Sequence, residues 1–438
     1  RIKDINLCKS GKEEIEWIQH EMSGLMALRE RYKKQSPLKG MRISGSVDIN
    51  IYTAVFIETL QLLGAEIRWC SSNIYSTQDH AASYLAELGI PIFAWKNESQ
   101  TDYWWAIFET LHFGPNIGPT HIIDEKGDVS LMISKGLEGE GNSSILDIPQ
   151  ETESEKELNL FLKRVLAEDQ SCWQRLTKDI KAVTIDTQTA NDQLKLLLEE
   201  KNYPIINLNS SIIKTKIDNY YSCKETIADA IKKTTRTILI GKSVLICGFG
   251  EIGRGCAKSL RINGASVMVA ERDPLRAMQA AMQGYRVVVL EEVVHFVDIF
   301  ITATGKKHVI KFEHMKQMKD QAIICNMGHY EQEIEYDKLH SDKEVKKIPI
   351  SAQLNRYYFP SGNSILLVAE SKLLNLTYET TQLAFIKSCA YSVQLLMQIE
   401  LNKVNYDNKT HNVPSHIDAE VAKMHLDKIG AKLTTENE

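Results

Sequence analysis

The chain has 438 residues, a length that usually corresponds to two or more domains. Its 43% hydrophobic and 25% charged residues are typical of soluble globular proteins. The net charge of −5 offers no general surface for polyanions, so nucleic acid is not an expected partner, and no apolar run approaches the ~20 residues that span a membrane.

The first part of the chain alternates apolar runs with amphipathic segments. The predicted strands are residues 42–47, 65–71, 90–95 and 120–124. The predicted helices lie within residues 1–40 and at 52–63, 81–88 and 104–111. This alternation predicts a parallel, doubly wound sheet, in which polar groups at the carboxyl ends of the strands face the ligand. Along that rim we expect Asp48, Asn50, residues 73–80, Asp124 and Glu125.

The pattern changes between Ser130 and Asp179. Residues 138–154 are acidic, contain glycine and show no clear periodicity, whereas 155–166 and 173–180 look like surface helices. We interpret this stretch as a surface insertion. Strands at 182–185 and 205–208, with a helix at 192–200 between them, then resume the earlier alternation.

The most informative stretch runs from Gly241 to Asp273. A predicted buried strand at 243–247 is followed by Gly-x-Gly-x-x-Gly, an amphipathic helix to about residue 263 and a second strand at 265–270. In such a unit the glycines allow a tight turn, the approach of a pyrophosphate and close packing of helix and strand, while the helix start offers free N–H groups. The predicted dinucleotide-binding residues are Gly248, Gly250, Glu251, Ile252 and Gly253.

Glu271 follows the second strand of this unit. A carboxylate about 20 residues beyond the glycines accepts from a ribose 2′-hydroxyl and repels a 2′-phosphate, which favours NAD over NADP. The alternative interpretation is a glycine-rich turn without a ligand. Further strands are predicted at 286–290, 299–302, 322–326 and 364–368, and helices at 217–233, from about 377 to 401, and at 417–429.

The eight cysteines are scattered and form no CxxC pair. Their spacing argues against a zinc site or a disulfide framework, so no bound metal is expected. Free thiols are typical of a reducing compartment, and we therefore expect a cytoplasmic protein.

Several long segments resemble S-adenosylhomocysteine hydrolase. They are MSGLMALRERY, TAVFIETLQLLGAEIRWCSSNIYSTQDHAA, IPIFAWK, KTKIDNYYSC, CGFGEIGRG, AMQGYRV, CNMGHY and LLNL. The resemblance implies an α/β protein with two doubly wound parallel-sheet domains, the second a Rossmann NAD-binding domain. It places the substrate domain at 1–210 and 383–415, the NAD-binding domain at 225–380, and a C-terminal helix and tail at 416–438. It also implies a tetramer around tightly held NAD.

The family's reaction uses NAD catalytically. The ribose 3′-hydroxyl is oxidised, homocysteine is eliminated, water adds and the ketone is reduced again. The resemblance assigns Lys214 and Asp218 to the 3′-hydroxyl, although a pair spaced four residues apart is otherwise often an ordinary surface ion pair. It assigns catalytic positions also to Glu125, where the family has aspartate, and Asp186, where it has glutamate.

The resemblance places further residues near the cofactor. They are Thr187, Gln188, Thr189, Asn219, Cys223, Glu271, Arg276, Thr302, Thr304, Asn326, His329 and Asn375. Two of them depart from the family pattern, which has threonine at Gln188 and asparagine at Arg276.

The largest departures concern the substrate. The family has histidine, threonine and glutamate where this chain has Asp48, Asn50 and Tyr52, and a Gly-His-Pro segment where it has residues 381–383, with Gln382 in the histidine position. Lys387 replaces a methionine against the adenine. A carboxylate at Asp48 handles protons near neutral pH only if its pKa is strongly raised.

Three hypotheses follow. The first is a catalytically impaired paralogue that binds NAD and regulates a partner, as a homo-oligomer or by mixed assembly with an active hydrolase. The second is an active adenosylhomocysteinase that serves the methyl cycle. The third is an NAD-dependent enzyme on a different hydroxylated substrate. All three predict a small-molecule or nucleoside ligand and neither nucleic acid nor membrane as a partner.

Overall fold

The computed structural model describes residues 1–150, 152–186, 203–328, 331–374 and 383–434. The helix predicted at 192–200 lies outside these ranges. The chain divides into two compact units, of which the first is Arg1–Lys214 with Ala384–Glu438 and the second is Thr215–Leu383. Within the described ranges, none of the helices combines the length and the apolar character needed to cross a bilayer.

Strands and helices alternate along most of the chain. The strands in the described ranges are β1 (Arg42–Ser46), β2 (Glu66–Cys70), β3 (Ile92–Phe93), β4 (His121–Asp124), β5 (Ala182–Ile185), β6 (Ile205–Asn207), β7 (Ser243–Cys247), β8 (Ser266–Ala270), β9 (Arg286–Val287), β10 (Ile299–Thr302), β11 (Ala322–Asn326), β12 (Lys346–Ser351), β13 (Leu354–Tyr358), β14 (Ser364–Val368) and β15 (Thr410–Asn412). The α-helices there are Cys8–Glu21, Ser23–Tyr32, Ile51–Leu62, Asp79–Glu87, Gln100–Thr110, Asp128–Gly141, Glu153–Glu168, Cys172–Thr177, Tyr220–Thr235, Glu251–Ile262, Pro274–Met282, Leu290–Val293, Phe312–Gln317, Tyr336–Ser341, Ala384–Leu401 and Ser415–Lys428.

The first unit contains a parallel sheet in the order β15-β6-β5-β4-β1-β2-β3. Ser46, the last residue of β1, lies opposite Cys70 of β2 on one side and Asp124 of β4 on the other. These three strands therefore end at the same level, and the residues that follow them emerge at one edge of the sheet. The parallel, doubly wound sheet predicted for this part of the chain is confirmed.

The stretch between Ser130 and Asp179 is more regular than its sequence suggests. The helix Asp128–Gly141 continues past Glu138, where apolar periodicity is lost. Gly139 permits this, because a Cβ there would lie 2.9 Å from a methyl group of Leu166. The two helices predicted to lie on the surface each bury one face, and Leu158 and Trp173 are fully buried in the first unit's core. That the stretch is an insertion stays a prediction.

The second unit contains a sheet in the order β12-β13-β14-β11-β10-β7-β8-β9. From β14 to β9 the strands are parallel, which confirms the predicted Rossmann-type arrangement. The hairpin β12–β13 adds an antiparallel edge that was not predicted. Its outer strand is mostly exposed and carries Lys346, Lys347 and Pro349, residues that protect sheet edges and weaken the sequence signal for a strand.

Glu98 is a buried acid in the loop between β3 and the helix Gln100–Thr110, and it is only 3% exposed. Burial raises the pKa of Glu98 to about 8, and the Asp102 carboxylate adds to this effect. The folded protein therefore keeps a proton that the unfolded chain releases at a lower pH. Its contribution to stability is complete below the ordinary glutamate pKa and is lost as the pH rises through about 8.

We predict that Glu98→Gln increases the free energy of unfolding by about 1–3 kcal/mol at pH 9 and changes it little at pH 4. Denaturant titrations of both proteins across this range measure the difference. The exposed Glu13→Gln is the matched control and should leave the pH dependence unchanged. Equal loss of stability with pH in wild type and Glu98→Gln would contradict the prediction.

Candidate functional site

Polar residues from three strand ends meet in the first unit. Asp48 follows β1, Ser72 and Asn73 follow β2, and Glu125 follows β4. Because β1 lies between the other two strands in register, these side chains share one edge of the sheet. We call Asp48, Ser72, Asn73 and Glu125 the acidic cluster.

The Ser72 hydroxyl lies between the two acids of the acidic cluster. Its Oγ is 2.6 Å from Asp48 Oδ1, and it also hydrogen-bonds Glu125 Oε2. Asn73 Nδ2 donates to the same oxygen of Asp48 and, at 2.7 Å, to Ser76 Oγ. The backbone N–H of Asp48 donates to Glu125 Oε2 at 3.4 Å. The sequence predicted Asp48 and Glu125 along this rim but not the serine that joins them.

Burial controls the charge of Asp48, which is 6% exposed. It is the main cause that raises the pKa of Asp48 to about 6, and the Glu125 carboxylate adds to it. Lys126 and the hydroxyls of Ser72 and Ser76 act in the opposite direction. A carboxylate transfers protons near neutral pH only if its pKa is raised, and the pKa of Asp48 is raised to about 6.

Two other positions on this rim have structural partners. Asp124 accepts from the N–H groups of Gly127 and Ser130 and from the Ser130 hydroxyl, each at 2.8 Å, and so stabilises the start of the next helix. Asn50 caps the helix Ile51–Leu62, since its side chain accepts from the N–H groups of Tyr52 and Thr53. Their positions at the rim match the prediction, but both side chains hold local structure.

Asp186 and Lys214 form an ion pair near the end of β5. Asp186 Oδ2 lies 2.7 Å from Lys214 Nζ, and both side chains are largely buried. The segment that carries Lys214 is anchored by Asp418, which accepts from the Ser211 hydroxyl at 2.5 Å and from the N–H of Ile212 at 2.9 Å. Sequence analysis missed Asp418, although an acid in the first turn of a helix is a frequent hydrogen-bond acceptor.

Asp218 and Asn219 belong to the second unit. They lie at the end of the π-helical segment Ile213–Asn219, where the prediction had a regular α-helix. π-Helical turns occur mostly as short insertions and often at functional sites. Asp218 is 3% exposed and accepts from Ser222 Oγ at 3.0 Å, whereas Asn219 is half-buried. The predicted joint action of Lys214 and Asp218 stays a prediction.

The glycine loop after β7 has the geometry its sequence predicts. Gly248 has a φ of +97°, and a Cβ on Gly253 would lie 2.0 Å from the carbonyl oxygen of Gly248. In contrast, a Cβ on Gly250 would meet nothing closer than Arg276 Nη1 at 3.7 Å. Two of the glycines are thus required by the fold, while Gly250 faces open space into which a phosphate fits.

A fourth glycine was missed. A Cβ on Gly255 would lie 2.4 Å from the carbonyl oxygen of Tyr220, so this residue lets the helix Glu251–Ile262 pack closely on the helix Tyr220–Thr235. Glu251 at the start of the former helix pairs with Lys216 and, at 3.0 Å, with Arg254.

Glu271 lies beside the glycine loop at the end of β8. Its Oε2 accepts from the N–H of Phe249 at 2.6 Å, and its Oε1 accepts from the N–H groups of Arg272 and Asp273 at 2.7 and 3.0 Å. Three backbone donors thus fix the carboxylate against the loop. This position and the open space at Gly250 fit the adenosine ribose and pyrophosphate of a dinucleotide.

The other predicted cofactor residues of the second unit differ in their surroundings. Thr302 Oγ1 donates to Asn326 Oδ1 at 3.0 Å, and both residues are buried. The N–H and hydroxyl of Thr304 both donate to Glu333, a buried acid that the sequence did not single out. Ile252 packs against the core, Cys223 is buried, and Arg276 is exposed. The predicted site residues outside the described ranges are Thr187, Gln188, Thr189, His329, Asn375 and Gln382.

Comparison with known proteins gives a family match over the whole chain and weaker similarities to solved structures. A sequence model of the S-adenosyl-L-homocysteine hydrolase family matches residues 1–438. Solved structures with a similar fold include a dipicolinate synthase polypeptide from Bacillus halodurans, with 13% identity, coverage of 83% of this chain and 99% of that chain, and a TM-score of 0.48. The dipicolinate synthase polypeptide from Bacillus subtilis has 14% identity, 83% and 98% coverage and a TM-score of 0.45.

The transhydrogenase from Sinorhizobium meliloti has 10% identity, covers 82% of this chain and 95% of that chain, and has a TM-score of 0.38. Nothing about ligands follows from similarities this weak. The family match, in contrast, extends over every residue of the chain and includes both the acidic cluster and the glycine loop. The chain belongs to the S-adenosyl-L-homocysteine hydrolase family.

Proposed function

We propose that this protein binds NAD, hydrolyses S-adenosylhomocysteine to adenosine and homocysteine poorly, and acts as a regulatory paralogue of an active hydrolase. The supporting observation is the engagement of Asp48. Where the family has a histidine, this chain has a shorter acid that is 6% exposed and hydrogen-bonded to Ser72 and Asn73. An acid–base group must come within hydrogen-bonding distance of its substrate. The contacts of Asp48 instead direct its carboxylate towards Ser72 and Asn73 of the protein.

Features of the second unit support NAD binding. The backbone around Gly248, Gly250 and Gly253 would hold the pyrophosphate, and Glu271 would accept hydrogen bonds from the adenosine ribose. When bound, NAD supplies a hydride acceptor for the carbon that bears the substrate's 3′-hydroxyl. Assembly as a homo-oligomer, or as a mixed oligomer with an active hydrolase, is part of the same proposal.

The first unit contributes positioning groups. Asp186 holds the Lys214 ammonium at 2.7 Å, and Asp418 fixes the backbone just before that lysine. Lys214 can therefore orient a substrate hydroxyl from a constrained position. Glu125 retains a carboxylate where the family has aspartate, but one methylene farther from its backbone, and shifts of that size can reduce rates by orders of magnitude.

One observation favours the second hypothesis, an active adenosylhomocysteinase. Burial and Glu125 raise the pKa of Asp48 to about 6, which lies near the ordinary value of histidine. An acid with such a pKa is present in both protonation states near neutral pH and can exchange protons there. A rate measurement separates this possibility from the proposed impairment.

We predict that purified protein with bound NAD releases homocysteine from S-adenosylhomocysteine at least ~100-fold more slowly than a typical enzyme turns over. Thiol release measures this rate. The double variant Asp48→His/Glu125→Asp, which restores the family's residues, should be faster by about tenfold, and Ser71→Ala, a buried serine beside the acidic cluster, should match wild type. Wild-type turnover near ~10 per second would support the active enzyme instead.

We predict that alanine substitutions at Gly250 and Gly253 have different effects, the first on NAD binding and the second on stability. The new methyl group of Gly250→Ala meets only Arg276 Nη1, at an ordinary contact distance of 3.7 Å, so the variant should fold like wild type. It should weaken NAD binding by about tenfold or more, because the methyl group lies where we propose that the phosphate binds. Gly253→Ala should unfold at a clearly lower temperature, since its Cβ overlaps the Gly248 carbonyl oxygen. Calorimetric titration with NAD and thermal unfolding measure the two effects. Unchanged NAD affinity in Gly250→Ala would count against the binding site.

A further inference from the structure

The arrangement of oxygens in the acidic cluster constrains its protons. Ser72 Oγ is within hydrogen-bonding distance of both Asp48 Oδ1 and Glu125 Oε2. A serine hydroxyl has one proton and can donate it to only one of these oxygens. If both acids were ionised, the other carboxylate oxygen would face the lone pairs of Ser72 without a proton between them. A second proton must therefore lie on one of the acids.

The surroundings indicate which acid carries this proton. Glu125 is the less buried of the two, and its Oε2 already accepts from the backbone N–H of Asp48 at 3.4 Å. Asp48 is nearly inaccessible to solvent, a setting that favours the neutral form. In this arrangement protonated Asp48 donates to Ser72 Oγ, and the Ser72 hydroxyl donates to Glu125 Oε2.

The other charged groups near the acidic cluster leave this arrangement intact. Lys126, next to Glu125 on the β4 loop, is exposed, and its charge favours ionisation of Asp48. From the β2 loop, the uncharged Asn73 Nδ2 donates to Asp48 Oδ1 and to Ser76 Oγ. Asp124 accepts from the N–H groups of Gly127 and Ser130, and Asp128 accepts from the Tyr103 hydroxyl at 2.6 Å.

We infer that Asp48, Ser72 and Glu125 form a proton relay, with Ser72 as the positioning residue that passes one proton between the two acids. When Asp48 gives its proton to Ser72 Oγ, the hydroxyl proton of Ser72 passes to Glu125. Two O–H bonds break and two form, and the total charge stays the same. The relay deepens the proposed function, because it names the groups that hold a proton beside a nucleoside ligand; only its use on that ligand rests on the proposed function.

Infrared difference spectroscopy of the full chain without substrate tests the relay. Spectra are recorded as the pH is changed from 4 to 8, and the carbonyl band of protonated carboxylic acids is followed. Other buried acids, including Asp124, Asp128 and Glu98, contribute to this band, so the signal of the relay is the part removed by Asp48→Asn. We expect that part to correspond to one carboxyl group per chain with a midpoint near pH 6.

Ser72→Ala tests the role of the bridge. In the proposed arrangement Ser72 Oγ accepts the Asp48 proton and so stabilises neutral Asp48. Loss of the hydroxyl removes this acceptor, and the midpoint of the Asp48-dependent band should therefore fall by about one pH unit. Ser71→Ala, one residue away and equally buried, should leave the midpoint unchanged. Circular dichroism confirms that each variant is folded. If Asp48→Asn does not fold, the difference between wild type and Ser72→Ala in the whole carbonyl band decides, with Ser71→Ala as the control.

Two results would overturn the inference. One is a wild-type spectrum from which Asp48→Asn removes no protonated carboxyl signal at any pH in the range. The other is an equal midpoint in Ser72→Ala and wild type. Neither result depends on turnover, so the relay can fail while hydrolysis proves slow, and fast hydrolysis can disprove the proposed function while the relay stands.

Discussion

Two acids, Asp48 and Glu125, lie within hydrogen-bonding distance of one serine hydroxyl, and the register of the sheet fixes their positions. β1 pairs with β2 and β4 so that all three strands end level, which places Asp48, Ser72 and Glu125 side by side. Their proximity results from the parallel register of the three strands, and the short loops after the strands carry the side chains. Because this edge is largely buried, electrostatic interactions within it are stronger than they would be in water. A single proton therefore has a large effect on the charge of the acidic cluster.

The predicted site residues of the two units differ in what they contact. In the second unit, Gly248, Gly253 and Glu271 interact mainly with backbone atoms, and these contacts form the turn and orient the acid. In the first unit, Asp48 and Glu125 interact with each other through Ser72. A dinucleotide-type fold is thus combined with two acids joined by a serine, and the proposed impairment rests on those contacts.

Features that depend on residues close together in the chain could be predicted from the sequence. The strand–glycine loop–strand unit ending at Glu271 could be predicted because the turn, the helix start and the acid lie close together in the chain. The bridge at Ser72 could not, since it joins loops that are distant in sequence, and neither could Glu333, which meets Thr304 only in the folded sheet. The exposed strand β12 and the π-helical turn at Ile213–Asn219 were missed because their residues do not follow the periodicity of ordinary strands and helices.

The strand β15 has a consequence for the order of assembly. It pairs with β6 at the edge of the first unit's sheet, and the helix Ser415–Lys428 follows it in the same unit. Thr215–Leu383, in contrast, is a continuous segment that contains all strands of its own sheet. During synthesis on the ribosome the second unit can therefore fold first. The first unit has residues on both sides of the second and is complete only after the helix Ser415–Lys428 has been translated.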